Sequence, residues 1–135
     1  IGDHVILVNN AALAGHCVLE NEVIVGGLSG VHQFVRIGRG AMIGAVTMVT
    51  ADVIPFGLVQ GPRGQLDGLN LIGLKRRGVD RAGIAALRDL YDALGTGNFR
   101  ESARVQAGKG GDNRPVREVL DFILGPSDRS YLTPR

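Results

Sequence analysis

The chain has 135 residues, with 15 Lys and Arg against 13 Asp and Glu and a net charge of +2. That length suits one domain with at most an appendage, and the near-neutral balance argues against a protein that coats nucleic acid. No apolar run approaches the roughly 20 residues of a membrane-spanning helix and no signal peptide is recognised, so a cytoplasmic protein without membrane insertion is expected.

In residues 1–54 an aliphatic side chain returns at every sixth position: Ile1, Leu7, Leu13, Leu19, Val25, Val31, Ile37, Ile43 and Val49. Four places after each stands a small or β-branched residue: Val5, Ala11, Cys17, Val23, Ser29, Val35, Ala41, Thr47 and Val53. Neither the 3.6-residue helical period nor the two-residue strand period produces a repeat of six. A parallel β-helix does, because each hexapeptide supplies a short strand and a turn around one narrow core. Three units close a triangular turn of about eighteen residues. The aromatic content of 4% without tryptophan, beside 21 glycines, fits a thin core with many corners. Trimerisation through a flat face is expected. The chain begins inside the pattern, which predicts the C-terminal portion of a longer solenoid.

Pro55 interrupts the repeats, and residues 55–78 read as a connector too irregular for further coils. Residues 79–135 then read as a small helical domain. Asp80 is a candidate N-cap for a helix ending at Gly95, Phe99 to Gln106 a second helix, and Pro115 the opening of a third that Gly125-Pro126 stops. Lys109 to Asn113 reads as an exposed loop. The tail from Ser127 to Arg135 is expected to be weakly ordered or docked on a neighbour.

Positions eighteen apart stack, so Gly15 and Gln33 share a column with His16 beside it, a pairing able to line a cleft between subunits; from spacing alone a solvated surface histidine is the equal alternative. His4 reads as surface, and His32 as structural or functional alike. Cys17, the single cysteine, lies on the small-residue lattice and reads as packing rather than as a nucleophile. The histidines and Cys17 are too widely spaced for a metal site. The glycines of Gly38-Arg39-Gly40-Ala41-Met42-Ile43-Gly44 miss the dinucleotide fingerprint by one residue and belong to the repeat. Lys75-Arg76-Arg77 is the strongest basic feature, and guanidinium forks match the oxygens of a nucleotide diphosphate; a solvated charged face is the plainer alternative.

The stretches Asn9-Asn10-Ala11-Ala12-Leu13-Ala14-Gly15-His16, Gly26-Gly27, Val31-His32-Gln33-Phe34, Gln60-Gly61 and Asn70 to Gly78 resemble one acyltransferase family. These are the hexapeptide-repeat O-acyltransferases that use acyl carrier protein and UDP-N-acetylglucosamine in the first step of lipid A biosynthesis. The resemblance implies a homotrimeric, left-handed parallel β-helix followed by a small α-helical C-terminal domain, with active sites between subunits. It implies transfer of a 3-hydroxyacyl group from the phosphopantetheine of acyl carrier protein to the 3-hydroxyl of the sugar, with no metal, no other cofactor and no covalent acyl-enzyme.

Carried onto this chain, the resemblance makes the Gly15 N–H an oxyanion donor and gives His16 and Gln33 contacts to the sugar nucleotide. Asn70, Arg76 and Arg77 would reach the nucleotide or the donor across a subunit boundary, and Ala45 would border the acyl-chain groove. The family's general-base histidine, in a His-Asp-Cys stretch, is expected before Ile1, in the Gly15–Gln33 column, so this chain alone is expected to be inactive. Ile72 stands where many relatives carry an acidic residue, which predicts an altered nucleotide pocket. The alternatives are a hexapeptide N-acyltransferase of the same pathway and a trimeric binding module without turnover.

Overall fold

The computed structural model describes residues 1–111, 113–127 and 129–134. Eight two-residue strands build the solenoid: β1 (Ile6–Leu7), β2 (Ala12–Leu13), β3 (Val18–Leu19), β4 (Ile24–Val25), β5 (Gly30–Val31), β6 (Arg36–Ile37), β7 (Met42–Ile43) and β8 (Met48–Val49). They stack in parallel one turn apart, Ile6 on Ile24 on Met42, Ala12 on Gly30 on Met48, and Val18 on Arg36. The molecule is thus a three-faced prism with sheets β1-β4-β7, β2-β5-β8 and β3-β6.

Both sequence lattices point inward. Val25, Ile37, Ile43 and Val49 have no solvent access, nor do Val23, Val35 and Ala41 of the second lattice. Its two polar members are satisfied internally: Ser29 Oγ donates to the Gly44 carbonyl at 2.8 Å and accepts from Thr47 N–H at 3.1 Å. Cys17 is half-buried on the same lattice. Turning a corner every six residues requires left-handed backbone, and φ lies between 53° and 69° at His4, Asn10, His16, Glu22, Leu28, Phe34, Gly40 and Val46. Gly26 is forced by packing, since a Cβ there would lie 2.6 Å from Ala45 N on the next coil.

The segment 55–78, expected as an irregular connector, contains regular structure. Strand β9 (Gly57–Gln60) continues the first sheet by pairing parallel to β7, and β10 (Gln65–Leu69) returns antiparallel against it. Leu58 stacks on Met42, where an eighteen-residue turn would bring residue 60, and Val53 already bridges Ile37, where residue 55 would stand; Val49 still stacks eighteen residues after Val31, so the turn is shortened by two residues between Val49 and Val53, before Pro55. Helix α1 (Leu71–Arg76), which periodicity does not reveal, follows at once.

Helices α2 (Arg81–Leu94), α3 (Phe99–Gly108) and α4 (Arg114–Leu124) form the helical unit. Asp80, Asn98 and Asn113 cap them, each side-chain oxygen accepting a backbone N–H three residues on. Pro115 falls in the first turn of α4, where its missing N–H costs nothing. Leu87, Leu90, Leu94, Phe99, Ala103, Val119, Leu120 and Ile123 bury the inner faces. The expected loop at 109–113 includes Asp112, which lies outside the described residues.

The tail runs along the last coil of its own chain rather than lying free. Ser130 accepts from Asp52 N–H at 2.9 Å, Leu132 N–H donates to the Asp52 carbonyl at 2.8 Å, and Thr133 accepts from Leu66 N–H at 3.2 Å. Unpaired backbone at the end of the last coil and the burial of Leu132 favour this position over a free tail. Asp128 and Arg135, which belong to the same expectation, lie outside the described residues. Among the described residues no helix is long and apolar enough to cross a membrane.

Candidate active site

The corner that joins the β2-β5-β8 face to the β3-β6 face carries Gly15, His16, Gln33 and Phe34. All four are exposed. Residues 15 and 33 stack one turn apart, as do 16 and 34, and Phe34 N–H donates to the Gly15 carbonyl at 3.1 Å, locking the peptide between the two coils. The Gly15 N–H itself has no acceptor among the described residues. On its side-chain face Gly15 is open, with nothing within 4 Å of where a Cβ would stand. The His16 ring lies parallel to the Phe34 ring, centroids 4.9 Å apart and planes 5° apart. This corner therefore offers a free backbone donor, an imidazole and an amide on a scaffold whose strands hold them in register.

Asn70, Arg76 and Arg77 belong to a different corner, that of Glu22 and Gly40. Asn70 is buried; its amide donates to the Gly40 carbonyl at 3.1 Å and its oxygen accepts from Gly73 N–H at 3.2 Å, capping α1. At the other end of α1 the Arg77 Nε donates to the Glu22 carboxylate, and its Nη2 donates to the Glu22 carbonyl at 3.1 Å. Both side chains are thus engaged within the chain and pin α1 to the solenoid. Lys75 and Arg76 stay exposed, as does Ile72 at 67%. Arg39 completes the network, reaching Glu22 at 3.5 Å and Glu118 of α4 at 2.6 Å. Burial pushes the Glu22 carboxyl up, but the Arg77 and Arg39 guanidiniums outweigh it and hold the group below the usual carboxylate range.

Ala45 lies at the third corner, beside Leu28 and Val46. It is exposed, at the rim of the β1-β4-β7-β9 face, whose outward column of Ile6, Ile24, Met42 and Leu58 is wholly apolar. The three groups of candidate residues therefore occupy three corners of one prism. A cleft of about 320 Å³ in the helical unit, floored by Leu90, Val116 and Leu120, contains none of them. His4 is exposed at the Glu22–Gly40 corner, and His32 is exposed beside buried Val31. No cluster of three metal-ligating side chains occurs among the described residues.

Two groups had no role in the sequence reading. Phe34 was detectable, since it stands eighteen residues after His16. Glu22 carried no local signal, because its partner Arg77 is 55 residues away.

Residues 52–132 match the family model described as UDP N-acetylglucosamine O-acyltransferase, domain 2. The chain belongs to this family. It is 76% identical to the acyl-(acyl-carrier-protein)–UDP-N-acetylglucosamine O-acyltransferase of Paracoccus denitrificans, over 99% of this chain and 51% of that protein. The protein of the same name from Rhizobium etli is 47% identical over 99% of this chain and 50% of its own. The solved UDP-N-acetylglucosamine acyltransferase of Campylobacter jejuni superposes with a TM-score of 0.84 at 34% identity, covering 96% of this chain and 50% of that one. The UDP-N-acetylglucosamine O-acyltransferase fold is the left-handed parallel β-helix with trailing helices described above. The chain spans about half the length of the curated relatives it matches.

Proposed function

We propose that this chain supplies the oxyanion and nucleotide-contacting half of an enzyme that moves a 3-hydroxyacyl group from acyl carrier protein to the 3-hydroxyl of UDP-N-acetylglucosamine, the first step of lipid A biosynthesis. The observation that carries the reading is the Gly15 corner. A free N–H, an exposed imidazole and an exposed amide stand together there, in a chain similar over its whole length to proteins named for this reaction.

In the proposed reaction the sugar hydroxyl attacks the thioester carbonyl of the phosphopantetheine-borne acyl group. Its proton passes to a histidine outside these 135 residues, in the column of Gly15 and Gln33. The Gly15 N–H meets the developing oxyanion, where one preorganised donor contributes about 3 kcal/mol. Collapse of the tetrahedral intermediate forms the ester and releases the pantetheine thiol. His16 and Gln33 hold the sugar. Arg76, presented by the pinned α1, meets phosphate oxygens. Asn70 and Arg77 contribute by fixing α1, and any reach to the nucleotide requires them to leave partners they now hold. Ala45, small and at the edge of an apolar column, leaves room for the acyl chain.

The separation of these groups onto three corners supports a homotrimer, in which a corner of one subunit can meet a different corner of its neighbour. A cytoplasmic enzyme fits soluble carrier-protein and nucleotide substrates. The test is acyl transfer by the full-length protein, its Arg76→Ala variant and this chain alone. Turnover by the first, a large loss in the second and none in the third supports the reading. Acceptance of an amino-sugar only would replace it with N-acylation, and binding without turnover in the full-length protein would leave a binding module.

A further inference from the structure

A phenylalanine at position 34 is costly on two counts. Its φ of 64° lies in the left-handed region that disfavours bulky side chains, and the residue is 49% exposed. The contact it makes is specific: a parallel stack on the imidazole of His16, one coil below, with centroids 4.9 Å apart. The 5° angle between planes, at a separation that implies an offset, is a favoured aromatic arrangement. Leu28 and Val46 occupy the equivalent place at another corner and are more exposed, at 65% and 61%, so an apolar residue here does not by itself create a stack.

An aromatic hydrocarbon has one property that an Asn, Glu or Gln at this corner would lack. It can orient an imidazole without using either ring nitrogen. Both His16 nitrogens stay open to a ligand, in a side chain that would otherwise turn freely on an exposed corner. The backbone of Phe34 acts on the adjoining residue, since its N–H holds the Gly15 carbonyl and so sets the plane of the Gly15–His16 peptide.

We propose that Phe34 is a positioning residue for His16: its ring holds the imidazole in the orientation that meets the sugar nucleotide, and does so without touching the reacting atoms. This rests on the functional reading above. The backbone hydrogen bond survives any side-chain change, so substitutions isolate the ring.

The experiment uses the full-length protein with Phe34→Leu and Phe34→Tyr. Without substrate, the His16 ring protons, assigned with a His16→Gln control, are expected upfield in the wild type from the ring current of Phe34. They should move downfield in Phe34→Leu and stay in Phe34→Tyr. With substrates, Phe34→Leu is expected to raise KM for UDP-N-acetylglucosamine by about three- to tenfold, the scale of one lost aromatic stack, with kcat within about twofold. Phe34→Tyr should keep the wild-type KM. An active wild type whose KM is unchanged in Phe34→Leu overturns the proposal, as does equal damage in both variants. A wild type that transfers nothing to the sugar nucleotide overturns the functional reading and this proposal with it; the ring shift, measured without substrate, still tells the two failures apart.

Discussion

Asp52 has no solvent access, and its carboxylate is shared between two distant parts of the chain. Arg36 donates to it twice, from N–H and Nε, each at 2.9 Å, and the Arg129 Nε lies 3.4 Å away. Removing one partner of a buried pair leaves the other charge uncompensated, so Asp52→Ala is expected to lower stability by about 3 kcal/mol in urea unfolding. Glu22 makes a pH prediction. Its folded pKa is depressed, so its contribution is complete above the unfolded value of about 4.3 and is lost as pH falls through the lower folded value. Glu22→Gln should therefore flatten the acid limb of stability against pH below about pH 5. Arg76 is exposed and has no ion-pair or hydrogen-bond partner among the described residues, so Arg76→Ala should leave the unfolding midpoint in place. In the full-length protein it should raise KM by about tenfold or more if it forks onto phosphate.

Among the elements, the tail does the most unexpected work. It covers the final coil by hydrogen bonds to Asp52 and Leu66, and Tyr131 ties it to α4, its hydroxyl accepting from Arg36 Nη2 at 2.9 Å and donating to the Ile123 carbonyl at 3.1 Å. Arg36 also lies 4.3 Å over the Phe122 ring. One arginine of the solenoid therefore holds helix and tail together. Truncation of the buried Leu132 to alanine should cost about 2–3 kcal/mol and speed hydrogen exchange at the Leu66 amide before it does so in the central coils. Exchange at Leu66 that matches the wild type would mean that the tail does not protect the last coil.

The solenoid is a prism with candidate chemistry at its corners and an apolar outward column on its β1-β4-β7-β9 face. Within one chain the Gly15, Arg76 and Ala45 corners cannot converge, because the strands between them are fixed by parallel pairing to the neighbouring coil. Sedimentation of the full-length protein is expected to give a trimer, and Arg76→Ala should sediment identically while losing activity. A fully active monomer would defeat the shared-cleft reading.

Much of the fold was legible because in a solenoid the sequence period is the geometric period. A spacing of six states which residues face inward, and a spacing of eighteen states which residues touch, so the Gly15–Gln33 corner could be located without coordinates. The Asp80 cap of α2 and the Pro115 opening of α4 were legible because they act within one helical turn, whereas the Asn113 cap of α4 was read only as part of a loop. The two-residue shortening between Val49 and Val53, the return of β10, the six-residue α1 and the docking of the tail were decided only in three dimensions. The placing of α1 and of the tail depends on pairings across long sequence separations, as when Arg36 meets residues 86 and 95 positions away. The same reason governs the candidate site. Local sequence determined which polar groups line each corner, and only the tertiary structure decided that Asn70 and Arg77 turn inward to hold α1, leaving Arg76 outside.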